Sequence, residues 1–156
     1  MTNTINAPKP NDVAHFFSQL CGLKFDAGEC KEALDGSNAF TAAFYVDNAS
    51  ELQAVIAVDV AGAAKLGGVL TQIPIGTVED AIKTGEVTGG IEENLGEVFN
   101  IAVNLLESHE QRLSLDSVKS GDELAAALQA WAGSPFHCFT LNIQRYGVCR
   151  IGIATR

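Results

Sequence analysis

Two carboxylates and two carboxamides recur at helical spacing within residues 90–106. Glu93, Glu97, Asn100 and Asn104 follow one another at intervals of four, three and four residues. At 3.6 residues per turn, these intervals place all four on one side of a helix. The segment has no Lys or Arg, although solvated helix faces usually mix both charges because opposite charges four residues apart stabilise the helix. Such a row could hold a polar group of a partner or substrate. The alternative is a solvated outer face that is simply acidic.

The other side of this helix is apolar, as expected for a helix that packs on a core. Its members are Ile91, Leu95, Val98, Ala102, Leu105 and Leu106. We predict that the helix opens at Thr88-Gly89-Gly90, where acidic residues in the first turn suit the helix dipole. Glu93 lies within reach of that effect, whereas the later members of the polar row lie too deep in the helix. Asn94, nearer the apolar side, is expected to cap or bond locally.

Length and charge restrict the class of partner. The 156 residues fit one domain, and we expect a flexible tail at residues 1–9 followed by a single domain at 10–156. The formal net charge is −9, from 19 acidic and 10 basic residues. Nucleic acid is an unfavourable partner because its recognition needs clustered Lys and Arg, and the chain has no such cluster. Anionic membrane surfaces are unfavourable for the same reason.

Neither a targeting segment nor a metal site is indicated. The N-terminal residues lack a basic region followed by an apolar core, so no signal peptide is expected, and the apolar runs are shorter than a membrane span. Histidines and cysteines are scattered without ligand spacing, at His15, His109, His137, Cys21, Cys30, Cys138 and Cys149. Free thiols are therefore expected rather than disulfides or a zinc site. We predict a cytoplasmic protein with no metal and no cofactor of its own.

Hydrophobic periodicity and turn residues predict the remaining elements. Helices are expected at 13–20 with Asn11 or Asp12 as the cap, at 61–70, from a capping box at Thr77 to a stop before Gly85, and from a capping box at Ser120 to Trp131. Strands are expected at 23–32, 39–46, 52–60, 113–118, 136–144 and 148–155, with turns at 35–38 and 47–50. Glycines in the 61–70 helix would let it lie close to a sheet. This order predicts an α+β fold, an antiparallel or mixed β-sheet with helices packed on it.

The polar row resembles a motif of the CheC/CheX family of chemotaxis phosphatases. The active helix of that family carries an acidic residue or Ser, then three residues, then Glu-x-x-Asn. Here the pattern falls on Glu93, Glu97 and Asn100. Residues 55–67 also resemble the strand and small-residue helix that precede the active helix in the family. The resemblance covers residues 39–115, with weaker agreement outside that range.

The resemblance implies a fold, an activity and a role for each residue of the motif. The fold would be CheC/CheX-like, and the activity would be hydrolysis of the aspartyl phosphate of a CheY-type response regulator. Asn100 would position the attacking water, Glu97 would pair with a Lys of the partner, and Glu93 would extend the docking contact. Asn104 lies outside the motif; its place in the row makes it a further partner-binding candidate, with a bystander as the alternative. Mg²⁺ would belong to the partner's receiver domain, and the chain would form a homodimer. Some members of the family carry a second copy of the motif on their first helix. The first helix of this chain offers only His15-x-x-Ser18, so a single site is implied, as in CheX.

Two other functions stay open. The first position of the family motif is typically Asp or Ser, whereas the longer Glu93 stands here. A non-catalytic CheC-like interaction module, binding a receiver domain or a flagellar-switch partner without hydrolysis, is therefore the first alternative. The second is a small-ligand sensor domain with a cleft between helices and sheet. A ligand retained by the purified protein would favour the sensor.

Overall fold

Six strands pair into one sheet, and helices pack on both of its faces. The computed structural model describes residues 8–30, 34, 38–106 and 112–155. The elements are α1 (Pro10–Cys21), β1 (Phe25–Glu29), β2 (Thr41–Val46), β3 (Leu52–Val58), α2 (Val60–Val69), α3 (Ile75–Thr84), α4 (Gly89–Ala102), β4 (Ser114–Ser120), α5 (Gly121–Leu128), β5 (His137–Ile143) and β6 (Gly147–Thr155), with 3₁₀ turns at Val103–Leu105 and Gln129–Trp131. This order confirms the predicted succession. The predicted turn at 35–38, most of the predicted tail and His109 lie outside the described residues.

The sheet has the strand order β1-β5-β6-β3-β2-β4, and every neighbouring pair is antiparallel. The predicted α+β class is therefore confirmed, with an antiparallel rather than a mixed sheet. Because successive side chains of a strand point to opposite faces, Ala43 and Tyr45 of β2 enter one core while Ala42 and Phe44 enter the other. β3 lies at the centre of the sheet, and its residues 54–58 are fully buried.

Two apolar clusters of unequal size lie on the two faces. The larger lies between the sheet and α1, α2 and α4, and it includes Phe17, Ile56, Leu66, Phe99 and Ile151. The smaller lies on the α5 side and includes Leu34, Phe44, Val55, Leu124 and Trp131. α4 therefore belongs to the outer layer on the larger core, where a helix buries one side and leaves the other to solvent.

α2 and α4 approach each other closely at Gly67. A Cβ placed on Gly67 would collide with the carbonyl oxygen of Ile91, in the first turn of α4, so only glycine fits there. A Cβ placed on Gly68 would collide with a side-chain methyl group of Val78 in α3. The sequence had suggested that these glycines bring the helix close to the sheet, but only Gly62 does so, against the Arg150 carbonyl of β6. The other two glycines allow contacts between helices.

Two helices begin earlier than the capping residues suggested. α1 is capped at Lys9 with Pro10 in its first turn, so neither Asn11 nor Asp12 is the N-cap. Proline suits this position because its fixed φ is already helical and the amide it lacks would have no partner. α3 follows Pro74, and the predicted cap Thr77 lies inside the helix. The predicted stop before Gly85 is confirmed.

Two other helices end earlier than predicted. α4 ends at Ala102 and continues as a 3₁₀ turn, and α5 ends at Leu128 in the same way. At the end of α4, the carbonyl of Phe99 accepts a hydrogen bond from the Tyr45 hydroxyl. In an uninterrupted α-helix, this carbonyl would pair with the amide four residues later. Ser120 does occupy the N-cap position of α5, but its side chain makes no capping hydrogen bond, so the predicted capping box does not form.

Gly67→Ala is predicted to destabilise the fold by forcing α2 and α4 apart. Overpacking of this kind costs about 1–3 kcal/mol, measured as a loss in the free energy of unfolding in urea. The matched control is Gly96→Ala in α4, where a Cβ meets nothing within 4 Å. That variant should gain about 0.4–1 kcal/mol because alanine restricts the unfolded chain. Equal stabilities for the two variants would contradict the assigned contact.

Candidate functional site

The candidate site is built on α4, whose inner side is firmly packed. The buried residues of the helix are Ile91, Leu95, Val98, Phe99 and Ala102. Phe99 was not among the predicted apolar positions, although its ring is 1% exposed and belongs to the larger core. The chain enters the helix through Gly89, whose φ of 62° lies in the left-handed region that glycine adopts readily. The predicted opening at Thr88-Gly89-Gly90 is confirmed.

Hydrogen bonds to two other elements fix the rotation of α4 about its own axis. The Tyr45 hydroxyl of β2 donates to the Phe99 carbonyl at 2.6 Å. Burial raises the pKa of Tyr45, so the hydroxyl remains a protonated donor. On the opposite flank, the Asn94 side-chain nitrogen donates to the Gly67 carbonyl at 2.9 Å and to the Thr71 hydroxyl at 2.8 Å. Asn94 therefore links α4 to α2, which corrects the prediction that it bonds locally.

The four predicted site residues all lie on the solvent side. Glu93, Glu97 and Asn100 are exposed on α4, and Asn104 is exposed on the 3₁₀ turn that follows. We call these four residues the polar stripe. A 3₁₀ turn has 3.0 residues per turn instead of 3.6, so Asn104 is rotated away from the position that a continuous helix would give it. The compact part of the stripe is therefore its first three members.

The polar stripe has no partner among the described residues. None of its four side chains forms a hydrogen bond or ion pair with another part of the chain that the structure describes. At a rise of 1.5 Å per residue, Glu97 and Asn100 are about 4.5 Å apart along the helix axis. A carboxylate can accept hydrogen bonds from a cation, while a carboxamide one turn away can both donate and accept. The pair can thus hold a charged group and a neutral one simultaneously.

A groove runs beside the polar stripe, between α4 and the edge of the sheet. Its volume is about 600 Å³. Its lining has three kinds of side chain and two glycines: the apolar Phe40, Val87, Leu95 and Val118, the hydroxyl-bearing Thr41, Thr88 and Ser120, the acidic Glu86 and Glu92, and Gly85 and Gly96. We call it the acidic groove. The groove is not visible in the sequence because its residues come from four separate segments. Val118 comes near α4 only through the pairing of β2 with β4.

Outside α4, the side chains that could take part in chemistry include the four cysteines and the ion pair of Arg150. All four cysteines are free thiols, as predicted. Burial raises the pKa of Cys21 to about 11 and that of Cys149 to about 12, so both are protonated at neutral pH. The Arg150 guanidinium pairs with the Asp59 carboxylate at 3.2 Å. Among the described residues, no cluster of three or more His, Cys, Asp and Glu could hold a metal ion, and no helix is long and apolar enough to cross a membrane.

Comparison with known proteins establishes the fold. No protein-family model and no curated sequence matches the chain. The FliM middle domain from Vibrio alginolyticus is similar with a TM-score of 0.60 at 9% identity, over 94% of this chain and 87% of that one. A chain of the FliM–SpeE complex from H. pylori has a TM-score of 0.57 at 10% identity, over 94% and 80%.

CheX and CheC-like proteins, named above from the motif, are also among the structural matches. A chain of the CheX–CheY–BeF₃–Mg²⁺ complex from Borrelia burgdorferi has a TM-score of 0.45 at 10% identity, over 94% of each chain. The TM-scores of the FliM chains are higher, and the α+β fold of this chain is the one that those chains have.

Tyr45→Phe is predicted to loosen the end of α4. The change removes a buried hydrogen bond and should cost about 1–2 kcal/mol of unfolding free energy. Amide hydrogen exchange in residues 99–105 should become faster because the helix end loses its link to β2. Tyr146→Phe is the matched control, since it removes a similar bond at 2.7 Å to the Ile73 carbonyl. Unchanged exchange at 99–105 in Tyr45→Phe would contradict the anchoring role.

Proposed function

We propose that this chain is a phosphatase that hydrolyses the aspartyl phosphate of a CheY-type response regulator. The observation that carries the proposal is the pair Glu97 and Asn100, exposed one helical turn apart and without partners among the described residues. The motif resemblance assigns the same two residues to this chemistry. The helix that presents them is anchored on two sides by Tyr45 and Asn94, so the pair is held on a rigid element, as a catalytic geometry requires.

Asn100 is assigned to the attacking water. An aspartyl phosphate is an activated acyl phosphate, and phosphoryl transfer passes through a loose transition state that needs positioning more than covalent help. The carboxamide oxygen of Asn100 would accept a hydrogen bond from the water, and its nitrogen would donate to a phosphate oxygen. This would place the water in line with phosphorus. A neutral amide cannot act as a general base, and this step needs none.

Glu97 is assigned to docking. One turn before Asn100, its carboxylate would pair with a Lys beside the phosphorylated aspartate of the partner and so set the register of the complex. Glu93 and Asn104 would extend the contact at either end of the polar stripe, with Asn104 displaced by the 3₁₀ turn. Mg²⁺ would come with the partner's acidic pocket. The proposal includes a homodimer and a cytoplasmic location, as the resemblance and the sequence imply.

A non-catalytic interaction module is the second candidate. The observation that favours it is Glu93, where the family motif typically has Asp or Ser, because a longer carboxylate in this place changes how the helix enters a partner. A FliM of the same fold forms a complex with FliG in H. pylori, so a flagellar-switch protein is one class of partner for such a module. In this case the polar stripe would dock a partner without hydrolysis.

Asn100→Ala is predicted to remove most of the catalysis and leave docking intact. The rate of dephosphorylation of a ³²P-labelled receiver should fall by about 10²-fold, the effect of misplacing a reacting group. Affinity for a receiver activated with beryllofluoride and Mg²⁺, measured by titration calorimetry, should be unchanged. Asn142→Ala removes an exposed carboxamide on β5 and is the control. If wild-type protein binds receivers but does not speed their decay, the interaction module replaces the phosphatase.

Glu97→Ala is predicted to weaken docking and turnover together. Loss of the pair with a partner Lys should reduce affinity by roughly tenfold, which corresponds to about 1.4 kcal/mol. Glu79→Ala on α3 is the matched exposed control. Both variants should fold normally, because exposed helix substitutions usually change stability by less than about 0.5 kcal/mol. A Glu97→Ala protein with wild-type affinity would refute the docking role while leaving that of Asn100 open.

A further inference from the structure

The acidic groove is continuous with the polar stripe. Glu92 and Gly96 of α4 line the groove, and each immediately precedes a stripe residue, Glu93 or Glu97. Consecutive residues of a helix are rotated by about 100°, so the groove opens on the flank next to the stripe. A partner that covers Glu93 and Glu97 would therefore also cover the mouth of the groove.

The groove combines an apolar interior with a negative rim. Leu95 is buried, whereas Val118 is 41% exposed and is one of the three most exposed large apolar side chains among the described residues. Glu86 and Glu92 are exposed, and no Lys, Arg or His is among the described residues that line the groove. Lys119 of β4 is adjacent in sequence, but it pairs with Ala42 and so faces the smaller core on the other side of the sheet.

We propose that the acidic groove receives a Lys or Arg side chain of the receiver partner as a second anchor beside the polar stripe. This inference rests on the proposed function. A long basic side chain fits both parts of the groove, because its methylene stem can cover Val118 and Leu95 while its charged head stays near Glu86 and Glu92. A purely apolar side chain would leave these carboxylates without a partner, and an acidic one would be repelled. The groove would thus help to select among receivers of similar fold.

Gly96 allows the groove to be blocked without touching the polar stripe. A Cβ at this position meets nothing within 4 Å, so Gly96→Leu should fold and extend its side chain into the groove. Gly96→Ala tests the effect of helix propensity without filling the groove. Gly76→Leu makes the same substitution on α3, also with nothing within 4 Å of the new Cβ, outside the groove and the stripe. Circular dichroism and urea unfolding would establish that all three variants are folded.

The test measures binding of CheY-type receivers activated with beryllofluoride and Mg²⁺. Gly96→Leu should lose at least about tenfold in affinity, and Gly96→Ala, which adds one methyl group to the groove lining, should lose less. Gly76→Leu should bind like wild type. Glu86→Gln with Glu92→Gln should weaken binding and reduce its dependence on salt. Exposed Lys and Arg residues of the receiver would be changed singly to Met, which keeps an unbranched stem. In a double-mutant cycle, one of them should couple to Glu92→Gln.

The outcomes separate the inference from the function on which it rests. If wild type binds and dephosphorylates a receiver and Gly96→Leu does so equally well, the groove is not a docking site and the proposed function stands. If wild type neither binds nor dephosphorylates any receiver tested, the proposed function fails and the inference fails with it. If Gly96→Leu instead changes the oligomeric state, seen by light scattering, the occupant is a second copy of this chain and the inference is overturned.

Discussion

The close contact between α2 and α4 at Gly67 is the constraint on which the candidate site depends. α2 is itself held on the sheet, because Gly62 lies against β6 and the Asp59 carboxylate, which caps α2, also accepts hydrogen bonds from Arg150 of β6. With α2 fixed, contact at Gly67 sets how near α4 can come, and Asn94 bonds the same Gly67 carbonyl. The distance of α4 from α2 and the rotation of α4 about its own axis are therefore both fixed. That rotation turns the polar stripe to solvent and leaves the acidic groove between α4 and β4.

Stability and chemistry are separated on α4. Its inner side contributes five buried residues to the larger core. Burial of the four large ones, which are all of the five except Ala102, stabilises the fold by about 1.5–3 kcal/mol each. The outer side contributes almost nothing to folding, since the four stripe residues are exposed and without partners among the described residues. Changes on the outer side can therefore alter binding or catalysis at little cost in stability. This arrangement also makes variants on the stripe informative, because loss of function there is not loss of fold.

The parts that could be predicted from the sequence are those that depend on local periodicity. The row from Glu93 to Asn100 follows from the helical spacing of 3.6 residues per turn. The central strand, predicted at 52–60 and observed at Leu52–Val58, follows from a short run of mostly apolar residues. Long-range contacts are not visible in this way. Asn94 bonds a residue 27 positions away, Tyr45 reaches across 54 positions to Phe99, and the acidic groove gathers four segments. The helix starts at Pro10 and after Pro74 differ from the prediction because a proline stands at each start. In α1 the Asp12 carboxylate still accepts a hydrogen bond from the Lys9 amide at 3.3 Å, from inside the helix rather than from the N-cap position. In α3 the N-cap residue is Pro74, and no side chain caps the helix.

The rotamer freedom of the polar-stripe side chains affects how long a partner bound at the stripe would stay. A side chain that has no partner among the described residues can sample several rotamers, and ordering one at an interface costs about 0.5–1.5 kcal/mol. Two glutamates and two asparagines would become ordered together when a partner covers the stripe, so part of the interaction energy would be lost to entropy. Such a complex would dissociate sooner than one made through side chains that are already ordered in the free protein.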